Sequence, residues 1–338
     1  MSSSPSPVSY EGYRAIQGVP AYIDFEYSYD WVSMLTVIML IYTVPCVFVF
    51  SKIVFFYVFN QAKIKQSGLG MEIFQSFLLM QFWNVLWIIG EFLVIRIPYT
   101  RIFTSYCAAE NPQLSLRIAS FFYFSGRYSS QLFTVMFCGL RVSIMYSLRE
   151  EKTRKTVHTL PFIIVPFGFL LAFPTLISEG VCMQVAKPSP FGSILIASQL
   201  YLSYATLVIF ISFALSLFVT LSIVILTGLM LRKVRERKPT SSNTLQVSVQ
   251  NSKVEKTLTT TMFILLVPLI FNLSISIGEL FNFSFYSHVL LICPVVLDTR
   301  VHVVTCYFYL THPVFKTKQV MGSQVSVVQH SSSKLGSC

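Results

Sequence analysis

The stretch WVSMLTVIMLIYTVPCVFVFSKIVFFYV, residues 31–58, carries one charged side chain, Lys52, in its whole length. A helix needs about 20 apolar residues to cross a hydrocarbon layer about 30 Å thick, and this run exceeds that. Lys52 lies near its end, where a flexible stem can reach the headgroups. Six similar runs follow, at 73–95, 116–146, 159–177, 203–231, 258–281 and 286–310. Water is absent from a bilayer core, so each backbone must close its own hydrogen bonds, and a helix does so within one segment. The expected fold is therefore all-α: a polytopic membrane protein whose seven transmembrane helices form one bundle.

Composition points the same way. The 338 residues are 54% hydrophobic and only 12% charged, whereas soluble domains carry about 25% charge. No soluble domain fits between the runs. The expected organisation is an extracellular segment 1–30, a helical domain 31–315 and a disordered cytoplasmic tail 316–338. The first thirty residues lack the apolar core of a cleavable signal peptide, so the first helix is expected to be its own insertion signal.

The net charge of +11 would suit a nucleic-acid partner, but its distribution does not. Sixteen of the 25 basic residues fall in connections one, three and five and the tail. The amino end and the remaining connections hold only Arg14, Arg96, Arg101 and Lys187. That bias places the sixteen in the cytosol and the amino terminus outside. The expected partners are a lipid membrane, a small-molecule ligand and a cytoplasmic signalling protein, with no nucleic acid. The connection 232–257, basic at both ends and rich in Ser, Thr, Asn and Gln, reads as a solvated loop, with Arg232 and Arg235 on the signalling side.

Cys46, Cys138, Cys293 and Cys306 fall within spans and read as small packing residues. Cys107 and Cys182 fall on the outer side, where an oxidising exterior permits a disulfide; two unrelated thiols are the alternative.

Ionisable groups inside a span cost about 2.5–3.5 kcal/mol on insertion scales, so each asks for a reason. Arg127 lies about ten residues into helix three, roughly 15 Å deep. Glu91 on helix two and Glu279 on helix six lie nearer the same side. One reading has these groups line a ligand pocket with Tyr123, Tyr128 and Gln131. The other has Arg127 form a structural ion pair with Glu91 or Asp298. On helix seven, Asp298 and His302 are four apart and share a face, and Arg300 points elsewhere. With Asn84 of helix two they form a candidate interhelix switch, Asp298 meeting Asn84 or Arg127. Arg141, at the inner end of helix three, can close the cytoplasmic side by pairing with helix six; a snorkelling residue is the alternative. Helix four, with Pro161, Pro166 and Pro174, is expected to be kinked or loosely packed. The run 194–231 is too long for one crossing, so its first turns, with Gln199, Tyr201 and Tyr204, are expected above the bilayer or along a vestibule.

His158, His288, His302, His312 and His330 make no metal-binding cluster in sequence, and no Walker loop or nucleophile elbow is present. No enzyme and no cofactor is expected. A ligand-gated channel or a transporter is the alternative class, though neither broken repeats nor an inside amino end is indicated.

Three segments carry a family resemblance. They are Ile95-Arg96-Ile97-Pro98 with Thr104-Ser105-Tyr106-Cys107 and Asn111-Pro112; Leu132-Phe133-Thr134-Val135-Met136-Phe137-Cys138 leading to Arg141; and Tyr309-Leu310-Thr311-His312-Pro313-Val314-Phe315-Lys316. In this order on seven spans, the chain resembles the nematode serpentine chemoreceptors, gamma superfamily, class U. The resemblance implies a G-protein-coupled-receptor-like protein in the plasma membrane or sensory cilium. It also implies detection of environmental small molecules, signalling through a heterotrimeric G protein, Arg141 as the helix-three arginine, and a Cys107–Cys182 bridge. The chain departs from rhodopsin-like receptors in having Leu140 before that arginine and Asn84 where an aspartate stands. It also lacks Asn-Pro-x-x-Tyr on helix seven.

Overall fold

The computed structural model describes residues 14–66, 71–110, 112–146, 150–199, 203–236, 245–281 and 286–315. Its frame is seven long helices: α1 (Trp31–Phe59), α2 (Met71–Glu91), α3 (Gln113–Met145), α4 (Glu150–Ile177), α5 (Ser203–Glu236), α6 (Leu245–Phe281) and α7 (Tyr286–Thr311). By length and composition, five described helical stretches can cross a membrane: Trp31–Phe59, Met71–Tyr99, Lys155–Ile177, Leu207–Glu236 and Lys256–Gly278.

The radial distribution of side chains is that of a protein dissolved in lipid. Ile41, Phe162, Leu170, Ile225 and Leu310 face outward, while Gln81, Asn84, Arg127, Ser130 and Asp298 are buried. Water would reward the opposite arrangement. The chain is thus an integral, multi-pass membrane protein. α3 holds the centre, packing against α2, α4 and α5. That position explains why it can carry Arg117, Arg127 and Arg141. Two glycines let α2 approach it: a Cβ on Gly90 would stand 2.9 Å from the Tyr123 Cα, and one on Gly126 3.1 Å from the Trp87 Cα. α4 stays helical through its three prolines and packs against α3.

α1 starts where the Asp30 side chain accepts from the Ser33 amide at 3.0 Å. α2 does not stop at residue 95. It widens into a π turn, Phe92–Arg96, and continues through Ile97–Tyr99. Pro98 has no amide hydrogen to donate one turn back, and the widened turn sits just before it.

The all-α expectation needs one correction. A three-stranded antiparallel sheet caps one end of the bundle, formed by β1 (Arg14–Ala15), β2 (Glu179–Gln184) and β3 (Ile194–Gln199). Arg14 pairs with Gln184, and Glu179 with Gln199. The expected first turns of the 194–231 run are therefore a strand: β2 offers it a hydrogen-bonding edge before α5 begins. Tyr201, and the side chains of Gln199 and Tyr204, lie outside the described residues. A disulfide joins Cys107, in the short helix Thr104–Glu110, to Cys182 in β2. Around it Ile16, Tyr22, Leu116 and Ile194 form a small core.

At the other end, helix replaces much of the expected 232–257 loop. α5 runs to Glu236 and α6 starts at Leu245. Residues 237–244 and the tail 316–338 lie outside the described residues. A 3₁₀ turn, Pro313–Phe315, folds back so that Phe315 meets Phe56 and Phe308 at ring distances of 4.9 and 6.0 Å.

Candidate functional site

The π turn decides the chemistry of the bundle interior. Glu91 and Arg96 are five residues apart, which an α-helix turns away from each other and a π turn brings onto one side. Arg96 Nη2 lies 3.2 Å from Glu91 Oε1. The same guanidinium grips Asp298 of α7 with both arms, at 2.9 and 2.6 Å. The Tyr42 hydroxyl of α1 donates to Asp298 at 2.6 Å. His302 Nδ1 lies 2.7 Å from the Asp298 carbonyl oxygen, and its Nε2 lies 3.3 Å from the Thr43 hydroxyl. This network ties α1, α2 and α7 together, and its two ion pairs are almost wholly buried.

Three expectations change here. Arg96, read as a residue of an outer connection, is the centre of the buried ion network. The partner of Asp298 is Arg96, not Asn84 or Arg127. Asn84 Nδ2 instead donates to Gln81 at 3.4 Å, and Gln81 Nε2 donates to the Arg300 carbonyl at 3.2 Å. Arg300 does point away from the Asp298 face, with its guanidinium against the Trp87 ring.

A second network joins α3, α5 and α6. Arg127 Nη2 donates to Asn272 Oδ1 at 3.1 Å and to Ser276 Oγ at 3.2 Å. Asn272 Nδ2 donates in turn to Ser216 Oγ at 2.8 Å. Tyr128 shares a 2.9 Å hydrogen bond with Ser212. Neither Glu91 nor Asp298 pairs with Arg127; both carboxylates belong to Arg96. Asn272, Ser216 and Ser276 escaped the sequence reading because small polar residues recur throughout membrane helices. Their only signal is a shared spacing on one face: Asn272 and Ser276 are four apart.

Between the two networks lies a cavity of about 50 Å³, with Trp87, Glu91, Tyr123, Arg127, Asn272 and Leu297 in its wall. It unites three of the six candidate ligand residues, Glu91, Tyr123 and Arg127. Tyr128 and Gln131 are buried but do not line it; Gln131 has no hydrogen-bonding partner for its amide among the described residues. The Glu279 side chain lies outside the described residues. The capping hairpin reaches this region through Ile196, which packs on the cluster of Trp87, Val94, Tyr123 and Ile275.

At the opposite end, Arg141 is buried and its Nη2 donates to the Thr259 hydroxyl of α6 at 3.2 Å. Tyr146 donates to the Leu229 carbonyl of α5 at 3.3 Å, and Lys233 lies 5.2 Å from the Tyr146 ring. Arg232 is exposed and pairs with Glu236 at 3.0 Å; Arg235 is exposed on the same helix end. His312 is fully enclosed against Phe308, and burial pushes its imidazole down to about 4.

Comparison with known proteins fits this architecture. The family described as serpentine type 7TM GPCR chemoreceptor Sru matches residues 16–318. Serpentine receptor class U-26 of Caenorhabditis elegans is 23% identical over 192 residues, covering 56% of this chain and 65% of that protein. The matched region thus spans somewhat less than two thirds of that relative. With a family match running from just after β1 past the end of α7, the chain belongs to the Sru family of serpentine seven-transmembrane GPCR chemoreceptors.

Proposed function

We propose that this protein is a chemosensory receptor of the plasma membrane or sensory cilium, crossing the bilayer seven times. Residues 1–30 and the hairpin face outward, and 316–338 faces the cytosol. A small molecule enters from the hairpin side and binds at the cavity of Glu91, Tyr123 and Arg127. It favours one helix arrangement by its differential affinity for it. The observation that carries this reading is the cavity's place between two hydrogen-bond networks, α1–α2–α7 and α3–α5–α6, so that a ligand there touches both. Rearranging Arg127 shifts α6 relative to α3. The Arg141–Thr259 contact then opens, and the ends of α3 and α5, with Arg232 and Arg235, receive a heterotrimeric G protein. No bond is made or broken by the chain.

The test is expression with a set of G proteins and a panel of small metabolites, reading second messenger and current in the same cells. G-protein-dependent second messenger supports the reading; ligand-gated current that persists with G proteins blocked would show a channel instead. Arg127→Ala abolishes the response at normal surface level. A retained response would make Arg127 structural only.

A further inference from the structure

Where α3, α4 and α5 meet, in the half of the bundle nearer Arg141, they leave a groove of about 610 Å³. Leu132, Gly139 and Tyr146 of α3 run along its floor, with Ile164 of α4 on one side and Leu226 and Leu229 of α5 on the other. It opens outward: Leu229 is 39% exposed and Tyr146 43%. A Cβ on Gly139 would meet nothing within 4 Å, so the floor is open at its middle. From Leu132 to Tyr146 the rise along α3 is about 21 Å, more than the depth of one leaflet, which is half of about 30 Å. Filling such a groove gains little by apolarity alone, because acyl chains are as apolar as leucine. Selection among membrane components therefore falls to the polar end.

That end is basic. Leu226, Leu229 and Lys233 are spaced three and four apart, so Lys233 continues the groove face of α5 one turn further. Its Nζ lies 5.2 Å from the centre of the Tyr146 ring. Glu236, 3.7 Å from Lys233, is held more closely by Arg232, at 3.0 Å. The last turn of α5 thus sets Arg232, Lys233 and Arg235 against one carboxylate, and the stretch 149–155 at the start of α4 sets Arg149, Lys152, Arg154 and Lys155 against Glu150 and Glu151. Among the described residues the groove wall itself holds no charge, only the hydroxyl groups of Ser143, Tyr146 and Thr156 near this end. An apolar slot of leaflet depth with a cationic mouth between helices matches a lipid with an anionic headgroup.

We propose that the groove binds an anionic phospholipid of the cytoplasmic leaflet. One acyl chain lies along Gly139 between α4 and α5, and the headgroup meets Lys233 and the basic start of α4. The inference shares with the receptor reading only the orientation of the chain. It goes beyond that reading by placing a lipid at the end where Tyr146 ties α3 to α5. Binding is reversible and transfers nothing.

The test is native mass spectrometry of the purified full-length protein in detergent, with equal amounts of dioleoyl phosphatidylserine and dioleoyl phosphatidylcholine. Retained lipid is predominantly phosphatidylserine. Lys233→Gln lowers that preference about fivefold, the effect of one basic residue beside an anionic headgroup. Gly139→Leu fills the open floor and lowers phosphatidylserine retention about fivefold or more with every charge in place. If that variant fails to fold, Leu229→Trp obstructs the groove from the α5 side. Equal retention of the two lipids by the wild-type protein, or an unchanged preference in Lys233→Gln, overturns the inference. Undiminished phosphatidylserine retention by a folded groove-filling variant overturns it too, by assigning the lipid to the basic surface outside the groove. These results leave the receptor reading standing, because that reading fails only on the G-protein readout.

Discussion

Replacing Arg96 by Met separates the structure from the sequence reading most sharply. As a residue of an exposed connection, Arg96 could be exchanged for Met at almost no cost. In the structure its side chain is 2% exposed and pairs with two carboxylates that are about as deeply buried. Removing one member of a buried ion network leaves its partners uncompensated and costs about 3–5 kcal/mol. At about 2 °C per kcal/mol for a chain of this size, the thermal midpoint falls by about 6–10 °C. The buried thiols of Cys46, Cys138 and Cys293 supply the assay, since a thiol-reactive fluorophore reaches them when the bundle opens. Removing the charges together is the control. The double variant R96M/D298N removes one buried charge of each sign, leaves Glu91 facing Arg300, and recovers part of the loss, because replacing both members of a buried ion pair is often harmless. A midpoint for R96M within about 1 °C of wild type would refute the placement of Arg96, and with it the π turn that puts it there. Tyr42→Phe is milder. It removes one hydrogen bond to an ionised group, at about 1.5 kcal/mol, and leaves Asp298 held by Arg96.

Further outcomes follow from single features. Cys107→Ser and Cys182→Ser each lower surface display to the same extent, and the double variant is no worse than either; a bridge across 75 residues is worth about 4 kcal/mol. Gly90→Ala destabilises by about 1–3 kcal/mol because its Cβ meets the Tyr123 backbone, whereas Gly139→Ala, with open space around it, is neutral or stabilising by up to about 1 kcal/mol; equal effects would refute the close approach of α2 and α3. His312 makes stability pH-dependent. Its folded value, about 4, lies below the unfolded 6.5, so the unfolded chain binds the extra proton. Stability is full above about pH 6.5 and declines as pH falls towards 4, by about 2 kcal/mol between pH 7.5 and 5. Thermal midpoints at those two pH values differ less in His312→Phe, and an unchanged difference would contradict the burial of that ring.

Much of the bundle can be read from the chain because lipid is an undemanding solvent for apolar side chains and a strict one for backbone. The runs 31–58 and 258–281 end within a few residues of helical ends in α1 and α6, since an apolar stretch of that length has no other way to satisfy its amides. The same rule misled the reading at 194–199. That segment is as apolar as the helix it precedes, but it lies at the bundle end, where β2 provides the hydrogen-bonding edge. At the candidate site, Arg127 and Glu91 stand out as charges in apolar surroundings, and a buried charge announces itself. Arg96 does not, because it follows the run and looks solvated.

By itself the sequence determined the class of protein: a chain whose long apolar runs and segregated basic residues suit a bilayer and little else. Only the tertiary structure decided which charges meet. Helix periodicity assigns a side chain to a face, and one widened turn of α2 moves Arg96 from that periodicity into contact with Glu91 and, across the bundle, Asp298. Local sequence sets what each helix can bury, while the partner is set by where a distant helix brings its own buried charge, and that is a property of the packed bundle alone.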